Sequence, residues 1–319
     1  ICIQIKRKIL LKIFHSINEF HSDKKTIVTL GTFDGVHIGH TEILKKLTQN
    51  THDGEFESTV LTFFPHPRTV LQGKSDLKLL NTINEKISLL GNIGIENLII
   101  HPFDEKFAEL SAEEFAKTVL VDQLQVQKII IGYDHRFGKN RTADINNLIT
   151  FGTQYGFEVE QISAQEIDAI SISSTKIRNA LELGDIDLAN QYLGYSYFLS
   201  GTVVKGKQLG RTIGFPTANI ELDEDYKLVP KNGVYIVCAK IEDQLVNGMM
   251  NIGFNPTVEG KNKTIEVHLF DFNSDLYNHK IKISIKYPIR SEQKFESIAV
   301  LKQQLIKDKE FSIQYLSNL

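Results

Sequence analysis

Residues 26–40 read TIVTLGTFDGVHIGH, a short apolar run followed by a glycine-containing turn and a helix that we expect to begin near Ile38. The run is too short for most helices and is rich in β-branched residues, which is typical of a buried strand. In an open parallel sheet, ligands bind outside the carboxyl ends of the strands, where the next helix presents unpaired backbone N–H groups. The turn is therefore a candidate anion site.

The same alternation continues through the first half of the chain. Strand-like runs at residues 59–64, 97–103 and 128–133 are separated by helix-like segments. Strands that are buried on both faces and alternate with helices are typical of a doubly wound parallel sheet. We therefore predict an α/β domain over residues 12–190.

The pattern changes after Gly194. Frequent glycines separate runs with period-two alternation, such as GVYIVCAKI at 233–241 and KIKISIKYPI at 280–289. This pattern predicts a small antiparallel β-barrel, with a terminal helix over residues 295–309. The second domain is expected over residues 191–319, and the fold class is α/β plus β.

Composition narrows the possible partners and the compartment. The chain has 319 residues, and a net charge of -3 gives no general basic field for coating nucleic acid. Its two cysteines form no metal or disulfide motif, which indicates a reducing cytoplasm. No apolar run approaches the ~18 residues that a membrane helix needs. We expect small-molecule partners and no binding to nucleic acid or to a membrane. A weak homo-oligomer is left open, and residues 1–11 are treated as an extension.

Two polar segments of the first domain suggest phosphate binding. His37 and His40, three residues apart, can both donate hydrogen bonds from one side of the first helical turn. Histidines that cap the helix or lie in solvent are an equal alternative. The segment 171–178, SISSTKIR, adds three consecutive hydroxyls, residues 173–175, at a helix start and Arg178 one turn later, and the helix is expected to end near Gly184. Capping needs only one hydroxyl, so this segment favours phosphate.

The second domain carries a candidate metal and base site. In GRTIGFPTAN, residues 210–219, Thr217 and Asn219 lie two apart on an extended chain and face the same side. Their oxygens can complete a magnesium shell, although a strand-start turn with polar caps is the alternative. In TIEVHLFDF, residues 264–272, alternation places Glu266 on the face opposite the apolar core set.

These motifs resemble a known family. VHIGH and ISSTKIR, together with TFFPHP at 62–67 and IIIGYDHRFGKNR at 129–141, resemble the nucleotidyltransferase domain of bifunctional prokaryotic riboflavin kinase/FAD synthetases. GRTIGFPTAN and TIEVHLFDF, with NGVYIV at 232–237 and NIGFNPT at 251–257, resemble the riboflavin kinase domain of the same enzymes. The motifs occur in the expected order, and the resemblance spans roughly residues 12–315.

The resemblance implies two reactions and two sets of site residues. Riboflavin and ATP would give FMN in the barrel domain, and FMN and ATP would give FAD and pyrophosphate in the α/β domain, with Mg²⁺ at both. The implied catalytic residues are Glu266, His37 and His40. In the α/β domain, the implied ATP contacts are Gly31, Phe33, Asp34, His37, His40, Ser173, Ser174, Thr175 and Arg178, and the implied flavin contacts are His66, Pro67, Asp134 and Arg136. In the barrel domain they are Gly206, Gly210, Arg211, Gly214, Pro216, Thr217 and Asn219 for ATP, with Thr217 and Asn219 also on the metal, and Asn251, Gly253, Pro256 and Thr257 for the flavin.

Some residues depart from the family pattern, and two other functions stay open. Asp134, His135 and Asn255 stand where asparagine, phenylalanine and arginine are more often expected. Asp34 could orient magnesium or simply cap its turn. The letters HIGH also occur in class I aminoacyl-tRNA synthetases, but the chain has no KMSKS-like loop. A non-catalytic flavin-binding protein is the other alternative, although such a protein needs no base like Glu266.

Overall fold

The computed structural model describes residues 10–51, 53–73, 76–133, 135–163, 172–206, 208–242, 244–257 and 260–318. The chain divides into two compact units, Ile1–Ser173 and Ser174–Leu319. Each unit has its own sheet and its own buried apolar core.

The first unit is built on a six-stranded parallel sheet. Its strands are β1 (Lys12–Phe14), β2 (Thr26–Leu30), β3 (Glu57–Phe63), β4 (Asn97–His101), β5 (Val126–Gly132) and β6 (Glu158–Ile162). Its α-helices are α1 (Ile38–Asn50), α2 (Pro67–Leu71), α3 (Ile83–Ile93), α4 (Glu105–Ala108), α5 (Ala112–Glu114) and α6 (Ile145–Tyr155). A π-helical segment follows α5 at Phe115–Gln123. The strand order is β1-β4-β3-β2-β5-β6, which confirms the predicted doubly wound parallel sheet.

The position of β2 in this order creates the ligand-binding edge. From β2 the chain moves outward through β3 and β4, and then returns to the other side of β2 to form β5. All five residues of β2 are buried. The carboxyl end of β2 therefore lies at the point where the strand order reverses, which is where open α/β sheets bind ligands.

Two edge strands were not predicted from the sequence. Strand β1 has only three residues, and β6 reads EVEQI, in which only Ile162 is buried. Neither segment has the apolar run that marks a strand buried on both faces. Both strands occupy the edges of the sheet, where polar side chains can remain in solvent.

The second unit is a closed barrel, as predicted. Its strands are β7 (Phe198–Val204), β8 (Ala218–Leu222), β9 (Gly233–Ile241), β10 (Gln244–Thr257), β11 (Gly260–Leu269) and β12 (Lys280–Ser291). The strands are antiparallel and close in the order β10-β11-β8-β7-β12-β9. Its helices are α7 (Ser174–Leu183), α8 (Ile186–Leu193), α9 (Leu209–Thr212) and α10 (Ile298–Ser317).

Helices α7 and α8 group with the barrel in this division. The Asn190 side chain donates to the Ile285 carbonyl at 3.0 Å and accepts from the Tyr197 backbone N–H at 2.6 Å, so α8 is tied to the barrel strands. The predicted domain limits 12–190 and 191–319 place α7 in the first domain and divide α8, and those limits stay a prediction for the functional domains.

The terminal helix α10 is longer than the predicted segment 295–309. It begins after the cap Ser297, whose side chain accepts from the Val300 N–H, and runs to Ser317. Ile298 is exposed, whereas Leu305 and Leu316 pack on a small cluster with Phe215 and Phe270. The helix therefore covers part of the barrel wall with its later turns.

Candidate active sites

The two predicted histidines lie together at the carboxyl end of β2. His37 is the N-cap of α1, and its Nδ1 accepts a long hydrogen bond of 3.4 Å from the His40 backbone N–H. A neutral ring that accepts at Nδ1 carries its proton on Nε2. The two imidazoles stack with their centroids 3.6 Å apart and an interplanar angle of 18°. His37 therefore caps the helix and also stacks on His40.

Burial and nearby charge keep His40 neutral. Its Nδ1 atom is buried and has no hydrogen-bond partner among the described residues. Burial lowers the pKa of His40 well below its ordinary value, and the charges of His37 and Lys86 lower it further. Burial also lowers the pKa of Lys86 to about 8, opposed by the nearby Asp34 carboxylate.

The other predicted residues of this turn have structural contacts of their own. Asp34 Oδ1 accepts from the backbone N–H groups of Leu80 and Asn81 at 2.9 and 3.4 Å, which links the turn to the segment before α3. Phe33 is buried at φ 45° and packs edge-on against the His40 ring, with centroids 5.2 Å apart. The Gly31 N–H donates to the Leu61 carbonyl at 3.1 Å. These Asp34 contacts reach a distant segment, so the magnesium role and the turn-capping role of Asp34 both stay predictions.

The hydroxyl segment lies at the start of α7, as predicted. The helix begins at Ser174 and ends at Leu183, and Gly184 follows with φ +85°. Arg178 is buried, whereas Thr175 is exposed. Ser171 lies outside the described residues. The assignment of Ser173, Ser174, Thr175 and Arg178 to ATP stays a prediction.

On the predicted flavin side, His66 is a helix cap. Its Nδ1 accepts from the Arg68 N–H at 3.1 Å, and Pro67 is the first residue of α2. Arg136 is exposed, and Asp134 lies outside the described residues. Sequence reasoning missed an aromatic cluster here: the rings of Phe63, Phe103 and Phe107 lie 5.5 to 5.8 Å apart between centroids. Single phenylalanines spread over 45 residues carry no pattern that would group them.

In the barrel unit, the predicted base and metal ligands share one row of the sheet. Glu266 on β11 is the register partner of Asn219 on β8 and of Asn251 on β10. Thr217, just before β8, donates from Oγ1 to Glu266 Oε2 at 3.3 Å. Glu266, Thr217 and Asn219 are each half-buried. The structure therefore brings together residues from three separate motifs.

The glycines before this row are required by close packing. A Cβ on Gly206 would lie 2.1 Å from the Asn219 Nδ2, and a Cβ on Gly210 would lie 2.1 Å from the Phe215 carbonyl oxygen. The Phe215 N–H donates to the Gly210 carbonyl at 2.8 Å, so the loop folds back on itself. Gly214 has φ +87°, a conformation that favours glycine.

A cavity of about 330 Å³ opens beside this loop. Predicted ATP residues Arg211, Pro216 and Thr217 line one part of it, and residues 272–277 line another. On the predicted flavin side, Asn251 belongs to the row with Glu266, and a Cβ on Gly253 would lie 2.4 Å from Glu292 Oε1. The backbones of Pro256 and Thr257 pair with those of Lys261 and Gly260.

His268 has a structural environment, although it shares a face with Glu266. Its Nδ1 lies 2.8 Å from the Pro216 carbonyl, so the ring donates to that oxygen. Its ring packs between those of Phe215 and Phe270, at centroid distances of 5.1 and 5.8 Å. Burial lowers its pKa below the ordinary value. Both faces of β11 are therefore buried at this end, because Phe215 and α10 cover the outer one.

Comparison with known proteins decides the family. The family model described as FAD synthetase matches residues 19–176, and the one described as riboflavin kinase matches residues 193–316. A bifunctional riboflavin kinase/FMN adenylyltransferase from Bacillus subtilis is 39% identical, with 97% of this chain and 99% of the relative covered. The chain belongs to the family of bifunctional riboflavin kinase/FMN adenylyltransferases.

Two further comparisons each cover most of the chain. The Haemophilus influenzae protein of the same description is 39% identical over 89% of this chain and 92% of its own. A solved structure described as a macrolide-efflux protein from Streptococcus pneumoniae is 30% identical, with a TM-score of 0.86 over 95% of this chain and 98% of that one. In the part of this chain that the structure describes, no helix is long and apolar enough to cross a membrane.

Membership of the bifunctional family confirms the resemblance that the sequence motifs indicated. It also assigns the letters HIGH to the FAD synthetase part of the chain rather than to an aminoacyl-tRNA synthetase. Sequence reasoning did not single out Lys86, whose positive charge lowers the pKa of His40. A lysine within a helix ordinarily indicates a solvated face, so no sequence signal marks it as buried.

Proposed function

We propose that this chain converts riboflavin to FMN in the barrel unit and FMN to FAD at the carboxyl end of β2, consuming ATP in both steps. The observation that carries the proposal is the row in which Glu266 is the register partner of Asn219 and accepts from Thr217. A half-buried carboxylate beside two neutral oxygen ligands suits phosphoryl transfer to a hydroxyl. We place the reactions in the cytoplasm, where ATP is available and the free thiol of Cys238 stays reduced.

In the kinase reaction, Glu266 acts as the base. Its carboxylate takes the proton of the riboflavin 5′-hydroxyl as that oxygen attacks the γ-phosphorus of ATP and ADP leaves. Thr217 donates its hydroxyl hydrogen to Glu266, which leaves the lone pairs of its oxygen available. Magnesium would be held by Thr217 and Asn219, and it neutralises phosphate charge when bound. No group of three His, Cys, Asp or Glu residues in the described chain could hold a metal, which fits an ion that relies on phosphate and water oxygens.

In the adenylyl transfer, the protein aligns two phosphates and stabilises charge. A phosphate oxygen of FMN bonds to the α-phosphorus of ATP, and the bond to the β-phosphate oxygen breaks to release pyrophosphate. His37 donates from Nε2, and the N-terminus of α1 adds the partial positive charge of its free N–H groups. His40 lies against His37 and completes the donor surface. The proposed contacts of residues 173–178 with the triphosphate, and of residues 66–67 and 136 with the flavin, rest on the family motifs.

The test of the kinase assignment is Glu266→Gln. We expect formation of FMN from riboflavin to fall by about 10²- to 10⁴-fold, the usual contribution of a positioned base, while FAD formation from supplied FMN is unchanged. Glu310→Gln, an exposed carboxylate on α10 of the same unit, is the matched control. Chromatographic separation of riboflavin, FMN and FAD over time gives both rates. Equal loss of the two activities in a folded variant would contradict separate sites.

The reciprocal test is His40→Asn, with the exposed His21→Asn as its control. FAD formation from FMN should fall, while FMN formation from riboflavin continues. Retention of full FAD formation in His40→Asn would remove the histidine pair from the reaction.

A further inference from the structure

Lys86 is a buried lysine directly behind the proposed adenylyl-transfer site. It lies on α3 with 4% of its surface exposed, and its Nζ donates to the Thr32 carbonyl at 2.7 Å. The same carbonyl accepts from Thr62 Oγ1 at 3.2 Å. Thr32 belongs to the turn between β2 and the histidine pair. Lys86 therefore holds the turn through its backbone, at a point five residues before His37.

A buried ammonium group needs a reason beyond packing. Burying a charge is unfavourable unless the charge is compensated, and an apolar side chain of similar length would fill the same space without that cost. The Thr32 carbonyl and the Asp34 carboxylate supply the compensation. Both groups belong to the turn that presents the histidines, so the charge of Lys86 is directed at this turn.

The segment that carries Lys86 is itself rigidly attached to the turn. Asp34 accepts from the N–H groups of Leu80 and Asn81, immediately before α3. The helix then starts with a capping box, in which Thr82 and Glu85 each accept from the backbone N–H of the other. Helix α3 and the turn are thus joined by two sets of contacts: Asp34 of the turn accepts from the segment before α3, and Lys86 of α3 donates to the turn.

The charge of Lys86 acts on the stacked histidines. Two protonated rings at a centroid distance of 3.6 Å would repel each other, so the pair takes up at most one proton readily. The charged groups that act on His40 are His37, the N-cap of α1, and Lys86 from α3. Lys86 and His37 both lower the pKa of His40, in the same direction as burial. An anionic triphosphate placed at these rings would act in the opposite direction.

We propose that Lys86 is a positioning residue of the adenylyl-transfer site: its ammonium group fixes the turn at Thr32 and opposes a further positive charge on the stacked His40 ring until an anionic triphosphate binds. This inference rests on the proposed function of the histidine pair. The histidine pair then takes up one proton from solvent as the nucleotide binds.

Three substitutions separate the charge of Lys86 from its hydrogen bond. Lys86→Arg keeps the charge, Lys86→Gln keeps a donor for Thr32 without the charge, and Lys86→Met removes both. Lys45→Met, an exposed lysine on α1 that pairs with Glu42 at 2.7 Å, is the control. The full-length protein is used throughout, and hydrogen exchange of the buried β2 amides reports that the first unit of each variant is folded.

The first measurement is the imidazole proton resonance of His40, titrated without substrate and assigned by comparison with His40→Asn. Lys86→Gln and Lys86→Met should titrate at higher pH than the wild type, whereas Lys86→Arg and Lys45→Met should follow it. The second measurement is kcat/KM for FAD formation from FMN against pH. Because the triphosphate favours protonation of His40, kcat/KM should rise as the pH falls and then level off at the pKa of His40 in the free protein. The levelling should occur at higher pH in Lys86→Gln and Lys86→Met, and a shift of one pH unit corresponds to about a tenfold change of kcat/KM on the sloping part of the profile.

Two outcomes would overturn the inference. One is a His40 titration and a pH profile that are unchanged in Lys86→Gln, and the other is a Lys86→Arg protein that behaves like Lys86→Met. If the wild-type protein itself made no FAD from FMN, the proposed function would fail instead, while the resonance titration would still report the charge coupling. If Lys86→Met does not fold, the comparison of Lys86→Gln with Lys86→Arg decides the matter.

Discussion

At the scale of single residues, the histidine pair shows how one residue can serve both local structure and chemistry. His37 caps α1 through its Nδ1 atom, and we propose that it donates to the nucleotide from Nε2. His40 stacks on His37 and packs against the Phe33 ring, and the charge of Lys86 lowers its pKa. Spacing in the sequence predicted that the rings would share a side of the helix. It could not predict Lys86, because that lysine arrives from a helix 46 residues further along the chain.

The lowered pKa of His40 predicts an acid-sensitive first unit. Between the pKa of the folded protein and the ordinary value of about 6.5, the unfolded chain binds more protons at this position than the folded one does. Stability therefore falls as the pH falls below about 6.5. We expect His40→Asn to reduce this loss by roughly 1 kcal/mol between pH 6.5 and 5.5, at 1.36 kcal/mol per pH unit for a full proton.

Hydrogen exchange of the buried β2 amides at the two pH values, corrected for intrinsic rates, measures that difference within the first unit. His101, whose pKa burial also lowers, keeps its contribution in both proteins, so the comparison isolates His40. An acid-induced loss of protection that is identical in wild type and His40→Asn would contradict the assignment of a neutral His40.

At the scale of elements, α10 depends on one buried ion pair. Asp308 is 2% exposed, and the Arg290 Nε and Nη2 lie 2.9 to 3.1 Å from its carboxylate oxygens. Gln304 adds a hydrogen bond at 2.8 Å. Removing one partner of a buried pair leaves an uncompensated charge, so Asp308→Ala should destabilise the barrel unit by about 3 to 5 kcal/mol. Hydrogen exchange of the β12 amides measures this cost.

The exposed Glu310→Ala on the same helix provides the control for Asp308→Ala. The double variant Arg290→Met with Asp308→Leu should recover part of the loss, because it removes both charges and refills the volume. A loss of similar size in Glu310→Ala would show that removing any carboxylate from this helix has the same effect and that the ion pair does not account for it.

The glycine loop of the barrel gives a prediction for activity. In Gly206→Ala, the new Cβ would lie within 2.1 to 2.6 Å of the Asn219 amide atoms, so that side chain must move away from the row with Glu266. We expect a higher KM for ATP in FMN formation and unchanged FAD formation from FMN. Steady-state rates against ATP concentration test this.

Gly91→Ala, a helical position on α3 where the nearest atom would be 3.5 Å away, controls for the general effect of replacing glycine. An unchanged KM for ATP in Gly206→Ala would mean that Asn219 does not need its observed position to support the kinase reaction.

Elements that are buried on both faces could be predicted from the sequence, and exposed ones could not. The strands at 59–64, 97–103 and 128–133 were found because their apolar runs reflect burial on two sides. Strands β1 and β6 were missed, since edge strands need little apolar surface. In the barrel, alternation located Glu266 correctly but did not show that Phe215 and α10 cover the other end of the same face. Register between distant strands, such as Asn251 with Glu266, has no local signal.

At the scale of the whole molecule, two units with separate cores carry two separate family matches. The first match lies at residues 19–176 and the second at residues 193–316. The product of the proposed kinase reaction is the substrate of the proposed adenylyl transfer. The two sites use different residues, so each reaction should proceed when the other site is disabled. FMN would then pass from one site to the other through solution.

Mixing two single-site variants tests this passage. Glu266→Gln cannot make FMN and His40→Asn cannot use it, so neither variant alone should convert riboflavin to FAD. A mixture should do so, because FMN released by His40→Asn can bind to Glu266→Gln. At equal site concentrations, we expect FMN to accumulate first and FAD to follow with a lag close to that of the wild type. Chromatographic time courses of the mixture and of the wild type give the two lags. A mixture with a much longer lag than the wild type would contradict transfer through solution, because only a protein that carries both working sites could then pass FMN on before releasing it.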